Sequence, residues 1–169
     1  YDLHVHSIFS DGGLTPKELI KLAKERELRG ISITDHDALL DEKYYAIGEK
    51  SGVEMISGVE FSTVFHNVHI IGFGLSSKND DLIKFLDHER EKRKEACLKM
   101  CELTAKSGVP VSFEEVLAEK NNIEGVLGRP HIAAVMIKKG YVKTAYEAFK
   151  MWLGRGKPCY VGYQKFIHN

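Results

Sequence analysis

The chain has 169 residues, of which 43% are hydrophobic and 28% are charged, and its formal net charge is zero. This composition is typical of a globular domain, and no apolar run reaches the ~18 residues that a membrane-spanning helix needs. The three cysteines are odd in number and show no CxxC spacing, which argues against a disulfide framework. Cys97 and Cys101 are four residues apart on a predicted helix, where a packed face explains them better than a metal pair does. We therefore expect a cytoplasmic globular protein without a membrane segment.

The first 75 residues alternate between strand and helix patterns. At the start, Leu3 and Val5 alternate with two histidines, as in a half-buried strand. The segment TPKE at 15–18 then combines the N-cap, the first-turn proline and the capping-box glutamate of a helix. Strand patterns follow at 30–34, 53–62 and 67–74, and a helix pattern lies at 38–51. This order predicts an α/β fold whose sheet is largely parallel.

Helical patterns dominate from residue 79 onward. One long helix is predicted over 79–107, capped by Asn79 or Asp80. Capping boxes or a first-turn proline start three more helices, at Ser112, Pro130 and Thr144. We expect three segments: an α/β part over 1–78, an all-helical insertion over 79–154, and a return into the α/β part over 155–169. A covered parallel sheet usually has more than four strands, so we expect this chain to be the front portion of a longer protein.

Charge is distributed unevenly along the chain. Residues 129–165 carry eight bases and a single acid, Glu147, whereas residues 1–76 carry 12 acids and seven bases. A basic segment can bind phosphate or nucleic acid, and an acidic one can bind cations. Chance and solubility explain the same asymmetry, so both interpretations stay open. The candidate phosphate contacts are Lys138, Lys139 and Lys143.

Potential metal ligands occupy or follow each strand of the first part. Two of them, in HVH at 4–6, are two residues apart and therefore share one face of a strand. Functional groups gather at the carboxyl ends of parallel strands, and nitrogen and oxygen donors without sulfur suit Zn, Mn or Fe. A set of more than four suggests two or more ions, which Glu60 would bridge because its two oxygens can face two ions. The candidate ligands are His4, His6, Asp11, His36, Glu60 and His69.

Ordinary structural roles compete with this interpretation. A single histidine on a strand is more often packed or on the surface than bound to metal. Three histidines stay under that interpretation: His66, His88 and His168. Asp35 or Asp37 could cap the following helix, and Glu60 could be a buried acid with satisfied hydrogen bonds. The metal interpretation is favoured because the candidates recur at equivalent places in consecutive strands.

Several motifs together resemble the PHP (polymerase and histidinol phosphatase) superfamily. They are DLHVHSIFSDG, ITDHD, GVEFS and HIIGFG, followed by GRPHIA at 128–133. Their order and the helical insertion are most similar to the branch of nucleoside 3′,5′-bisphosphate phosphatases and 5′-to-3′ exonucleases acting on short oligoribonucleotides. The resemblance implies a distorted (β/α)7 barrel with a di- or trinuclear metal centre, of which this chain would hold the front portion.

The resemblance also implies how the ligands would be divided between two or three divalent metal ions. His4 and His6 would hold one ion, and Asp11 and His36 would hold a second. His69 would hold a third ion, and the carboxylate of Glu60 would bridge.

In the GRPH segment, the resemblance implies substrate contacts. Arg129 and His131 would contact the substrate phosphate, and His131 could instead assist the leaving group. The superfamily pattern continues with a His-Pro motif and a late Asp-x-His motif, and neither occurs here. FIHN at 166–169 lacks that context, so no ligand is assigned to His168. We therefore expect the first and second metals each to lack one ligand in this sequence.

The implied activity is a metal-dependent phosphoesterase. Metal-activated water would hydrolyse phosphomonoester or terminal phosphodiester bonds of small nucleotides or short oligonucleotides. The expected partner is a phosphorylated small molecule, a nucleotide or a short RNA end, with no membrane and no obligate protein partner. Two alternatives stay open. A histidinol-phosphate type phosphatase is disfavoured by GRPH within a helical insertion, and a non-catalytic module supporting a partner is disfavoured by the retained ligands.

Overall fold

The computed structural model describes residues 1–63, 68–120 and 125–162. The chain divides into two compact units, residues 1–90 and 91–169, and each is described by itself. His66 and His168 lie outside the described residues. The segment boundaries predicted at residues 78 and 154 stay predictions.

The first unit contains five strands in two sheets among its described residues. Three strands form a parallel sheet in the order β1-β2-β3, and two form an antiparallel pair, β4-β5. Helix α1 follows β1, and helix α2 follows β2. The bounds in chain order are β1 Asp2–Val5, α1 Pro16–Glu25, β2 Gly30–Ile33, α2 Glu42–Ser51, β3 Glu54–Met55, β4 Gly58–Ser62 and β5 His69–Phe73.

A small apolar core joins the parallel sheet to its two helices. Ile31 and Ile33 of β2 are almost fully buried and pack with Ile20 of α1 and Tyr44 of α2. The predicted start of α1 is confirmed, because Thr15 and Glu18 form a reciprocal capping box. The strand–helix–strand order places the carboxyl ends of β1 and β2 side by side, and both ends lead into candidate ligands.

The α/β class is confirmed, but one predicted strand and the start of one predicted helix were wrong. The single strand expected over 53–62 is split: β3 pairs with β2, and β4 pairs antiparallel with β5. Gly58 permits β4 to pass close to β2, since a Cβ there would lie 2.5 Å from Ser32 Oγ. Helix α2 begins at Glu42 rather than at residue 38, because Asp41 is its N-cap and accepts from the Lys43 amide.

The described part of the second unit is helical. Its helices are α3 Asp80–Lys106, which begins in the first unit, α4 Phe113–Glu119, α5 Arg129–Lys138 and α6 Ala145–Ala148, followed by a π-helical turn at Phe149–Leu153. Ser112 and Thr144 cap α4 and α6 as predicted. The core contains Met100, Ile132 and Leu153. None of the helices in the described ranges is long and apolar enough to cross a membrane.

All three cysteines are free thiols and are buried. Cys97 and Cys101 belong to the core of the second unit together with Cys159. The interpretation of the first two as part of a packed helix face is therefore confirmed.

Candidate metal centre

His4 of β1 and His6, the first residue after β1, lie side by side. Because they are two residues apart on an extended chain, both point to the same face, and their Nε2 atoms are 3.1 Å apart. His4 is the more exposed of the two, whereas His6 is half-buried. The Nδ1 atom of His6 lies 3.2 Å from the hydroxyl of Ser10 in the following loop.

That loop turns back on itself and returns Asp11 to the same place. The Gly12 amide donates to the Ser7 carbonyl at 2.9 Å, which closes the turn. A Cβ at Gly12 would lie only 2.0 Å from the His6 carbonyl oxygen, so a glycine is required there. Asp11 Oδ1 thereby lies 3.5 Å from His6 Nδ1.

The TDHD segment after β2 supplies one candidate ligand and two anchors. His36 forms an isolated parallel bridge with Glu60 of β4. Asp35, on one side, accepts hydrogen bonds from Ser7 and Ser10, and Asp37, on the other, accepts from Ser62 at the end of β4. The alternative that either aspartate caps the next helix is wrong, since Asp41 caps α2.

Glu60 lies at the centre of the site and is almost fully buried. Its Oε2 is 2.9 Å from His6 Nε2, 3.2 Å from His4 Nε2 and 3.3 Å from His36 Nδ1. Its Oε1 faces the opposite way, 3.7 Å from His69 Nδ1. One oxygen of the carboxylate is therefore close to three histidines, and the other oxygen is closest to His69.

His69 reaches the site from an unexpected direction. It is the first residue of β5, and its backbone pairs with Ser62, the last residue of β4. An antiparallel strand starts where its neighbour ends, so His69 reaches the end of the sheet toward which β4 runs. Because His69 lies at the amino end of its own strand, the rule that ligands gather at the carboxyl ends of strands would not have predicted its position in the site.

The six candidate ligands form three overlapping groups within the first unit. In each group, one nitrogen or oxygen atom per residue lies within 4.8 Å of the others. The groups are His4, His6 and Glu60; His6, Asp11 and His36; and His36, Glu60 and His69.

The electrostatics of the site favour an ionised Asp11 and a neutral His6. Interaction with the His36 ring holds the pKa of Asp11 down, at about 2. Burial lowers the pKa of His6, against the opposing attraction of Asp11 and Glu60. A neutral imidazole and an ionised carboxylate are the forms that bind a cation.

The donor chemistry fits a divalent cation. A neutral imidazole carries one ring proton, so each ring presents one bare lone pair, and several ring nitrogens converge on one carboxylate oxygen. The buried Nδ1 of His36 has no hydrogen-bond partner among the described residues, although Glu60 Oε2 is close by. Buried polar atoms without partners are rare, and a metal ion would satisfy this lone pair.

In the second unit, Arg129 and His131 lie in the first turn of α5. The Arg129 guanidinium lies over the rings of Phe149 and Tyr160, 5.3 and 5.4 Å from their centroids, and forms no ion pair with any described residue. The Gly128 amide donates to His131 Nδ1 at 3.1 Å, and the carbonyl oxygen of the same glycine lies 3.3 Å from that nitrogen.

Two of the three lysines proposed as phosphate contacts are paired with carboxylates. Lys139 contacts both oxygens of Glu115, at 2.8 and 3.0 Å, and Lys138 contacts Glu119. Their charges are therefore partly compensated within the helical unit. This weakens the interpretation of the basic segment as a phosphate-binding surface.

Comparison with known proteins identifies the family. The model of the PHP domain matches residues 2–153. The chain belongs to the PHP domain family. The resemblance seen in the sequence motifs is thereby confirmed.

Curated PHP relatives act on nucleotides or RNA according to their names. The chain is 32% identical over 165 residues to a 5′-3′ exoribonuclease of Haemophilus influenzae, covering 95% of this chain and 59% of that protein. It is 35% identical over 167 residues to a 3′,5′-nucleoside bisphosphate phosphatase of Chromobacterium violaceum, covering 96% and 58%. The chain thus spans less than two-thirds of the length of these relatives.

Two solved structures share the fold of this chain. An amidohydrolase of C. violaceum, solved with sulfate and without metal, has a TM-score of 0.83 and 31% identity over 96% of this chain and 58% of its own. A candidate metal-dependent phosphoesterase of Bifidobacterium adolescentis has a TM-score of 0.82 and 27% identity over 95% and 57%. The similarity supports the use of divalent metal by this family.

Proposed function

We propose that the protein is a metal-dependent phosphoesterase of the PHP family. It hydrolyses phosphomonoester or terminal phosphodiester bonds in small nucleotides or short oligonucleotides. Family membership and the activities named for the exoribonuclease and phosphatase relatives support this proposal. The observation that carries it is the convergence of ring nitrogens from β1, the TDHD segment and β5 on the two oxygens of buried Glu60.

The proposed ligand sets are those that the family resemblance implies, and the clustering of the candidate ligands in the first unit supports them. One ion would be held by the two histidines of the HVH segment and a second by the loop aspartate and the TDHD histidine, and a carboxylate would bridge them. A third ion would be held from β5. The residues are His4 and His6, Asp11 and His36, Glu60 as the bridge, and His69. The nitrogen and oxygen donors suit Mn, Zn or Fe.

The ions and the protein contribute different parts of the chemistry. Divalent ions, when bound, would acidify a coordinated water and offset the negative charge that develops on the phosphoryl oxygens. Arg129 binds the substrate phosphate in this proposal, because its guanidinium is held over aromatic rings and carries a charge that no described carboxylate neutralises. In the tautomer that accepts from the Gly128 amide, His131 presents Nε2–H, which can donate to a phosphate oxygen or to the leaving group.

The fold proposal places this chain within a larger barrel. The described strands form the front part of a distorted (β/α)7 barrel, residues 79–154 are a helical insertion, and residues 155–169 return to the barrel. The reduced cysteines support a cytoplasmic location. The partner is the phosphorylated substrate itself.

The function is tested on the protein as encoded, purified with Mn, Zn or Fe. The substrates are a nucleoside 3′,5′-bisphosphate, a short 5′-phosphorylated RNA and histidinol phosphate. We expect release of phosphate or nucleotide from the first two, and loss of this activity in His36→Ala. His88→Ala replaces an exposed histidine of α3 and is the matched control.

The outcomes separate the alternatives. Preference for histidinol phosphate would establish the other phosphatase class. A metal-loaded protein that hydrolyses none of these substrates would support a non-catalytic module, and full activity of His36→Ala would refute the proposed site.

The substrate contact at Arg129 has its own test. Arg129→Lys keeps the charge but loses the planar fork that binds two phosphate oxygens. We expect kcat/KM to fall by about 10- to 100-fold, since one charge-assisted contact is weakened. Arg155→Lys, at an exposed arginine of the same unit, is the control, and equal kinetics in the two variants would exclude Arg129 from substrate binding.

A further inference from the structure

Asp35 is a buried carboxylate whose only described partners belong to the loop after β1. It is 2% exposed and accepts three hydrogen bonds. The Ser7 amide donates at 2.7 Å and the Ser7 hydroxyl at 2.5 Å. The Ser10 hydroxyl donates at 2.6 Å. Three donors at these distances replace the water that the buried carboxylate has lost.

The Ser10 hydroxyl has one proton and several neighbours. Asp35 Oδ1 lies at 2.6 Å and Asp11 Oδ1 at 3.4 Å, so the proton goes to the nearer, buried carboxylate. The oxygen lone pairs of Ser10 are then left for its third neighbour. That neighbour is His6 Nδ1, at 3.2 Å.

A hydroxyl whose proton is already donated can only accept from the imidazole. A hydrogen bond between these two groups therefore requires the ring proton on His6 Nδ1, and Asp11 Oδ1 at 3.5 Å favours the same arrangement because it is also an acceptor. The other nitrogen, Nε2, lies 2.9 Å from Glu60 Oε2, an acceptor that competes for the ring proton while no ion lies between them. A divalent ion at that position would take the Nε2 lone pair, and the proton would then stay on Nδ1.

We propose that Asp35, acting through the Ser10 hydroxyl, is a positioning residue that fixes His6 in the tautomer with its proton on Nδ1 and its metal-binding lone pair on Nε2. This inference rests on the proposed metal centre. It adds to that centre two residues, an aspartate and a serine, that contact no metal themselves. Hydrogen bonding of this kind sets both the tautomer and the orientation of a metal-binding imidazole.

A purely structural role for the same hydrogen bonds is the alternative, and Ser7 offers a matched comparison. Both hydroxyls donate to Asp35 at nearly equal distances, and both serines are buried. Ser10 contacts His6, whereas the hydroxyl of Ser7 accepts from the Phe9 amide at 3.1 Å instead. Removing either hydroxyl loosens the loop, but only the Ser10 hydroxyl is bonded to the His6 ring.

Two separate measurements determine the tautomer of His6 and the affinity of the site for metal. Long-range ¹H–¹⁵N spectra of the Zn-loaded, ¹⁵N-histidine-labelled protein, at a pH where imidazoles are neutral, show which nitrogen of His6 carries the proton. Titration of Zn into Ser10→Ala, Ser7→Ala and Ser10→Thr gives affinities. Thermal unfolding of the metal-free variants measures the loosening of the loop.

We expect the His6 proton on Nδ1 in the unmodified protein. Ser10→Ala should weaken Zn binding by about 10- to 100-fold, Ser7→Ala by less than about threefold, and Ser10→Thr should restore affinity. A proton on Nε2, or equal Zn affinities of the two alanine variants, would overturn the inference. A metal-binding protein that cleaves no phosphoester would instead contradict the proposed function and leave this inference intact.

Discussion

Replacing Asp37 by Asn should loosen the end of β4, which carries the bridging carboxylate. Asp37 is fully buried, and its two oxygens accept from the amide and the hydroxyl of Ser62 at 2.8 and 2.7 Å. Asn has the same shape and tolerates the positive φ of this position, so the substitution removes mainly the charge and one acceptor. Glu60 lies two residues before Ser62, and His69 pairs with Ser62 across the sheet.

The expected magnitude follows from the two hydrogen bonds. A bond to a charged group contributes about 1.5–3 kcal/mol, and a neutral one about 0.5–1.5 kcal/mol, so two such bonds together lose about 2 kcal/mol. Since about 1.4 kcal/mol is a factor of ten, the local opening equilibrium rises about 30-fold. The Ser62 amide exchanges through that opening, so its exchange should be faster by the same factor.

Hydrogen–deuterium exchange of the metal-free protein measures this directly at Ser62. Asp41→Asn is the control, because Asp41 is an exposed N-cap that accepts from the Lys43 amide at 2.8 Å, and Asn caps helices about as well as Asp. Exchange of the Ser62 amide in Asp41→Asn should stay within about twofold of its rate in the unsubstituted protein. Acceleration at Ser62 below threefold in Asp37→Asn, or equal in both variants, would refute this explanation of how β4 is held.

Two further predictions concern the core and the acid stability. Ile132→Ala, at a fully buried position of α5, should lower the free energy of unfolding by about 2–5 kcal/mol, whereas Ile137→Ala, 37% exposed on the same helix, should cost less than about 1 kcal/mol in urea titrations. In metal-free protein, Asp11 is expected to stabilise the fold above pH 4 and to lose this contribution between pH 4 and 2. The reason is that its folded-state pKa of about 2 lies below the unfolded value of 3.8, so the unfolded chain binds the proton first. Asp11→Asn should therefore show a smaller loss of stability in that window, and unfolding curves of equal pH dependence would contradict it.

The sequence was most informative where ligands are fixed by local geometry. Two histidines at i and i+2 on one strand must share a face, and a turn closed by Gly12 must return Asp11 toward them. The structure brings both pairs together as expected. Glu60 was chosen as the bridge because it has two oxygens, and those oxygens do face different histidines.

The strand pairing could not be predicted from the same patterns. Residues 53–62 alternate apolar and polar residues along most of their length, as one strand would, and this periodicity carries no signal for a strand that changes partners. The change at Gly58 depends on close packing against Ser32, a contact distant in sequence. For this reason the expected parallel strand became an antiparallel pair, and His69 reached the site from the start of β5.

The anchoring residues were missed for a different reason. Asp35, Ser7 and Ser10 do not contact the proposed metals, and their hydrogen bonds join loops about 25 residues apart in sequence. A pattern of small hydroxyl residues beside a candidate ligand was the available signal. Without the fold, its partner carboxylate could not be distinguished from a helix cap.

The central claim is that Glu60 bridges divalent ions held by surrounding histidines. Anomalous diffraction at the absorption edges of Mn, Fe and Zn, on crystals of the metal-loaded protein, counts and identifies these ions directly. We predict at least two anomalous peaks within coordination distance of Glu60, one on each carboxylate oxygen, and their loss in Glu60→Gln. Metal-loaded crystals with no peak at Glu60, or with a single ion bound away from it, would contradict the account.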